Sequence, residues 1–131
     1  MERVDPAGLA APSGFSHAVS VDAGGRLVFL AGQTALDAQG RIVGDDVVRQ
    51  FEQALSNLLR ALSACGGEPA HLASLTVYIV DMDDYKARSR DIGAVWRRLV
   101  GREYPAMAGV GVARLWDAEA LVEVQGMAVV P

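Results

Sequence analysis

Across residues 46–64 apolar side chains return every three or four positions, at Val47, Val48, Phe51, Leu55, Leu58, Leu59 and Leu62, the period of a helix with one buried face. Asp45 or Asp46 can cap its first turn, and Gly66-Gly67 stops it. A second stripe, Tyr85, Ser89, Ile92, Trp96 and Leu99, predicts another helix capped by Asp81 or Asp83 and ended by Gly101 and Pro105. The other apolar stretches have strand character. Residues 16–21 and 27–33 read as a hairpin around Ala23-Gly24-Gly25, and a short strand at Arg41-Ile42-Val43 follows the turn Asp37-Ala38-Gln39-Gly40. Residues 75–80 are β-branched and nearly continuous, the pattern of a strand covered by helices. Residues 108–113 and 121–129 supply two more strands, joined through Leu115-Trp116-Asp117-Ala118.

The resulting order, βββαβαββ, predicts an α+β (α/β) sandwich with six strands and both helices on one face of the sheet. Two helices cover one face only. Val28, Leu30, Val110, Val112, Val122 and Val124 nevertheless place apolar groups on both faces, so the bare face is expected to meet another subunit.

Composition narrows the function classes. At 131 residues, 51% hydrophobic and 21% charged, the chain is expected to be one domain, 1–131, with one core. A net charge of -4 argues against nucleic acid as a partner, because such binding is driven by basic groups that displace phosphate counterions. The cluster Arg88, Arg90, Arg97, Arg98 and Arg102 reads as the solvated face of the second helix. With no secretory pattern and no run of about 18 apolar residues, the expectation is a cytoplasmic protein with no membrane partner. A lone Cys65 at a helix C-terminus is a poor nucleophile, and His17 and His71 alone make a poor metal set, so no metal is expected. Neither Gly24-Gly25 nor Gly109-x-Gly111 opens a helix, so no nucleotide cofactor is implied. Ser16, His17 and Glu123 do not form a hydrolytic triad pattern, since adjacent strand residues point to opposite faces.

Several motifs run in a recognisable order. Gly14-Phe15-Ser16-His17-Ala18-Val19, Val28-Phe29-Leu30-Ala31-Gly32-Gln33, Gln53-Ala54-Leu55-Ser56-Asn57-Leu58 and the passage from Leu75 to Tyr85 precede Tyr104-Pro105-Ala106-Met107-Ala108-Gly109-Val110-Gly111-Val112-Ala113-Arg114-Leu115 and Leu121-Val122-Glu123-Val124. Together they resemble the RidA/YjgF family of enamine and imine deaminases over almost the whole chain. The resemblance implies a chorismate-mutase-like fold with a six-stranded mixed sheet, a homotrimer in the form of a barrel, and small-molecule ligands in three clefts between subunits. It also implies a site. In typical members an arginine in Pro-Ala-Arg-Ser holds the substrate carboxylate, and a glutamate in the last strand handles the hydrolytic water. A guanidinium can grip a carboxylate bidentately, and a carboxylate can accept a proton from attacking water.

By this resemblance Glu123 matches the glutamate, Met107 stands at the arginine position, and Ala108 stands at the serine. Phe15, Ala31 and Ser89 occupy positions where tyrosine, serine and asparagine are common. The water-handling half is therefore kept while the anion-handling half is lost, and a carboxylate facing Met107 would remain unpaired at a cost of several kcal/mol. Arg114 is the nearest alternative anion binder in sequence; it also offers an ion-pair partner for Glu123. Met107 equally suits filling an irregular apolar gap. Two functions follow: a RidA-type hydrolase with altered or reduced activity, or a non-catalytic trimer that binds a small ligand in the same clefts. The acidic balance disfavours the ribonuclease activity attributed to some relatives.

Overall fold

The fold comes from a computed structural model that describes residues 1–22 and 24–131. Among the described residues six strands are present: β1 (Glu2–Val4), β2 (Ala18–Ser20), β3 (Arg26–Gln33), β4 (Leu72–Ile79), β5 (Ala106–Gly111) and β6 (Val122–Val130). Helix α1 (Val47–Ala64) lies between β3 and β4, and α2 (Met82–Ala87) and α3 (Ser89–Leu99) lie between β4 and β5. The architecture is the expected α+β arrangement, but the six strands do not share one sheet. Four form a mixed sheet in the order β3-β6-β4-β5, and β1 pairs with β2 separately.

The predicted hairpin of residues 16–21 with 27–33 is the main correction. Strand β2 takes β1 as its antiparallel partner, with Arg3 opposite Val19, while β3 pairs with β6. The core explains the choice: Val28 and Leu30 of β3 are buried, whereas Ala18 and Ser20 of β2 are exposed and gain nothing from the large sheet. Of the predicted turn Ala23-Gly24-Gly25, Ala23 lies outside the described residues. The expected strand at 41–43 reduces to one bridge between Leu36 and Ile42. Its turn is held instead by the Asp37 carboxylate, which accepts from the amides of Gln39 at 2.9 Å and Arg41 at 3.0 Å.

Helix α1 follows its sequence pattern. Asp46, rather than Asp45, is the cap, accepting from the Arg49 amide at 2.9 Å, and Gly66 turns the chain away at φ +80°. Its buried stripe, including Phe51, Leu55, Leu58 and Leu62, lies on the sheet face that carries Val28, Leu30, Val77, Ile79, Val122 and Val124. The second predicted helix is two helices. The Arg88 amide donates to both Asp84 and Tyr85 carbonyls, closing α2, and the Arg88 carbonyl accepts from Ile92 to start α3. Asp81 caps α2 through the Asp84 amide at 3.0 Å. Because β4 and β5 are parallel, this helical pair is the crossover that such pairing requires.

The opposite face of the sheet is bare in the single chain. Phe29 is 74% exposed, Leu27 53%, and Val110 and Met127 are also exposed. Phe29 and Met127 are direct cross-strand partners, so these two form one apolar patch.

Candidate functional site

The two halves of the sequence-derived site lie on opposite faces of the sheet. Met107 is in register with Leu75, whose side chain is buried beneath the helices, whereas Glu123 is in register with Tyr78 on the bare side. They also belong to different regions of the sheet. Met107 is on the edge strand β5, and Glu123 is on β6, beside the other edge strand β3.

Around Met107 there is a cavity of about 470 Å³ between β5 and the helices. Its walls are largely aromatic. Trp96 stacks on Tyr104 with ring centroids 5.2 Å apart and planes 11° from parallel, and its indole N–H donates to the Glu103 carbonyl at 3.2 Å. Phe51 meets Tyr85 edge to face at 6.3 Å. Burial pushes the Tyr85 phenol up to about 12, so it keeps its proton well above the pH at which an exposed tyrosine ionises. Ser89 and Arg90, from the first turn of α3, stand at the cavity lining, and the Ser13-Gly14 segment closes another side.

The segment containing Phe15 is tied to the same region. Ser16 donates through its hydroxyl to the Tyr104 carbonyl at 2.8 Å and through its amide to the Pro105 carbonyl at 3.0 Å. Phe15 stands edge-on to His17 at 5.0 Å. Met107 and Ser89 therefore line one cavity, whereas Phe15, next in sequence to Gly14 of the lining, is not itself part of it. The tyrosine, serine and tryptophan contributions were legible as a helical stripe, but Arg90 was read only as part of a solvated charged face.

The other half is built on a β-bulge. Pairing of β3 with β6 shifts between Leu30 and Gln33, leaving Ala31 and Gly32 outside the regular ladder. A Cβ on Gly32 would collide with the carboxylate of Glu123, so glycine is what allows this carboxylate to lie over the bulge. Glu123 is half-buried, and among the described residues its side chain makes no ion pair and no hydrogen bond. The in-chain pair with Arg114 does not form. Arg114 donates instead to the carbonyls of Leu115 at 3.1 Å and Trp116 at 3.3 Å. Ala108 is exposed on the same side of the sheet as Glu123, and Ala31 is exposed at the bulge.

This geometry provides a proton acceptor on the bare face, beside the edge strand β3, and an apolar, aromatic cavity on the helix side of the other edge strand, β5. Relatives of known description share the scaffold. Residues 6–130 match the family described as Endoribonuclease L-PSP. Over 116 residues the chain is 37% identical to Protein DfrA of Myxococcus xanthus, spanning 88% of this chain and 84% of that protein. It is 32% identical over 116 residues to the 2-iminobutanoate/2-iminopropanoate deaminase of Capra hircus, spanning 88% and 79%. Its structure superposes on that of the conserved Rid family protein YyfB of Yersinia pestis with a TM-score of 0.86 and 32% identity, over 98% of each chain. The YjgF gene product of E. coli superposes with a TM-score of 0.70 and 26% identity, over 92% and 91%. Sequence and fold agree over nearly the full length, and the chain belongs to the RidA/YjgF family.

Proposed function

We propose that the protein is a RidA-type hydrolase of enamines or imines that works in clefts between copies of a homotrimer, on substrates whose group beside Met107 is apolar. The observation that carries the reading is Glu123: a half-buried carboxylate, free of partners within the described chain, poised over the glycine of an edge bulge. A carboxylate left in a mostly apolar strand is costly unless it is paired or used.

The two edge strands suggest how the halves meet. A head-to-tail contact that packs the β5 edge of one copy across the bare side of the next, over its β3 bulge, sets Met107 and its cavity near the neighbour's Ala31, Gly32 and Glu123, and such a contact can close into a ring. It also covers Phe29, Leu27 and Met127. In the assembled cleft Glu123 accepts a proton from water as the oxygen bonds to the imine carbon. The proton passes to nitrogen to give a carbinolamine; the carboxylate then moves the hydroxyl proton to nitrogen as the carbon–nitrogen bond breaks, and a carbonyl product and ammonia leave.

The Capra hircus relative is a deaminase of 2-iminobutanoate and 2-iminopropanoate, substrates that carry a carboxylate. Met107 offers that group no hydrogen bond, so their hydrolysis by the wild-type protein is expected to stay near background. Generating 2-iminopropionate with an amino-acid oxidase and following its loss tests this. Met107→Arg is expected to gain turnover, and Glu123→Gln in that background to remove it by about a hundredfold or more, since an amide is a far weaker base. A gain that survives Glu123→Gln would overturn the role given to Glu123.

The apolar replacements at Phe15, Ala31 and Met107 favour a second reading, a trimer that binds a small apolar ligand in the same clefts without turning it over. That reading is preferred if Met107→Arg stays at background even with Phe15, Ala31 and Ser89 changed to Tyr, Ser and Asn as well.

A further inference from the structure

We propose that the cavity beside Met107 takes a ligand with an apolar, ring-sized body and a single carboxylate, and that Arg90 of helix α3 grips the carboxylate. This rests on reading the cavity as a ligand seat, but it requires no turnover. Arg90 is the one charged residue among those lining the cavity. Among the described residues its guanidinium has neither an ion pair nor a hydrogen bond. Four other arginines are engaged elsewhere: Arg88 faces Asp84 at 3.8 Å, Arg98 holds Glu52 at 2.9 Å, Arg3 holds Glu103 at 2.9 Å, and Arg114 is turned to its own loop; Arg97 and Arg102 are not among the cavity lining.

The walls define the rest of the ligand. Phe51, Trp96, Tyr104 and Met107 offer aromatic and thioether surface, and a volume of about 470 Å³ lies in the range of small-molecule sites. Arg90 is exposed while Met107 is half-buried, so an anionic head can sit where water still reaches and an apolar tail can extend inward. One guanidinium suits a monoanion; a phosphate dianion would need further cations, and the cavity lining holds none. The anion clamp missing from β5 is thus moved to the helix, and a cavity of about 470 Å³ leaves most of its apolar wall unfilled by a 2-imino acid of three or four carbons. The change selects larger substrates over smaller ones.

Calorimetry on the intact protein with two probes of one shape, 4-phenylbutyrate and uncharged 4-phenylbutanol, tests the assignment. The carboxylate is expected to bind about tenfold or more tightly than the alcohol. Arg90→Gln should remove that preference while leaving alcohol binding within about twofold. Arg90→Glu should transfer the preference to 4-phenylbutylamine. Equal affinity for both probes in the wild type, a preference that persists in Arg90→Gln, or no heat from either probe at millimolar concentration would overturn the proposal. Because the readout is binding, its failure leaves the hydrolytic test on Met107 and Glu123 untouched, and the reverse also holds.

Discussion

Three residues carry the proposed chemistry, and each was legible from sequence to a different degree. Glu123 stood out as a carboxylate in an apolar strand, and Met107 as a thioether in an arginine's place. Arg90 did not, because a charged residue in an arginine-rich helix reads as solvated surface until the cavity beside it is known. The same holds for Tyr85. Its place in a helical stripe predicted burial, but not that it would line a cavity with its hydroxyl kept neutral. That burial has a measurable consequence. The unfolded chain loses the phenolic proton near pH 10, whereas the folded protein holds it to about 12. Between those values the unfolded state binds fewer protons, so folding stability falls as pH rises, by about 1.4 kcal/mol per pH unit, and below pH 10 Tyr85 contributes no pH dependence. Urea denaturation at pH 9 and 11 should show the wild type losing more stability than Tyr85→Phe; equal losses would place Tyr85 in contact with water.

At the scale of elements, the helices were the most legible, because their period, caps and stops are local. Asp46, Gly66 and Asp81 act as the spacing suggested. Strand pairing was less so. Residues 16–21 and 27–33 have the local pattern of a hairpin, but β3 finds its partner about a hundred residues away, where burial of Val28 and Leu30 outweighs a nearby turn. The break at Arg88 was also hidden, since a stripe at helical spacing continues across it. The bulge at Ala31-Gly32 could have been suspected from a glycine inside a strand pattern, yet only the pairing shows that Glu123 fills the space. The bare face follows from counting layers and yields a direct test. Phe29 is 74% exposed on it, so Phe29→Asp should leave the single chain folded while placing a charge in the expected interface. Sedimentation equilibrium should show trimer for the wild type and mostly monomer for the variant. A wild type that is monomeric at micromolar concentration would remove the assembly altogether.

For the whole molecule, the separation of Met107 from Glu123 is the fact around which the account turns. A site read from sequence as one cleft is divided between the two faces of a single sheet and between strands β5 and β6, which β4 separates, so its chemistry is proposed to arise only between copies. Family resemblance could imply that cleft, while periodicity could supply only the apolar face that needs a cover. Hybrid assemblies test the division most directly. The wild-type chain carries Glu123 without an arginine at position 107, and the M107R/E123Q chain carries the arginine without the carboxylate, so neither alone should hydrolyse 2-iminopropionate. Unfolded together and reassembled, they should regain activity, because a cleft formed between unlike copies can combine the arginine of one with Glu123 of the other. A mixture that stays at background, beside an M107R protein that is active, would show that both residues act within one chain and would contradict the shared site.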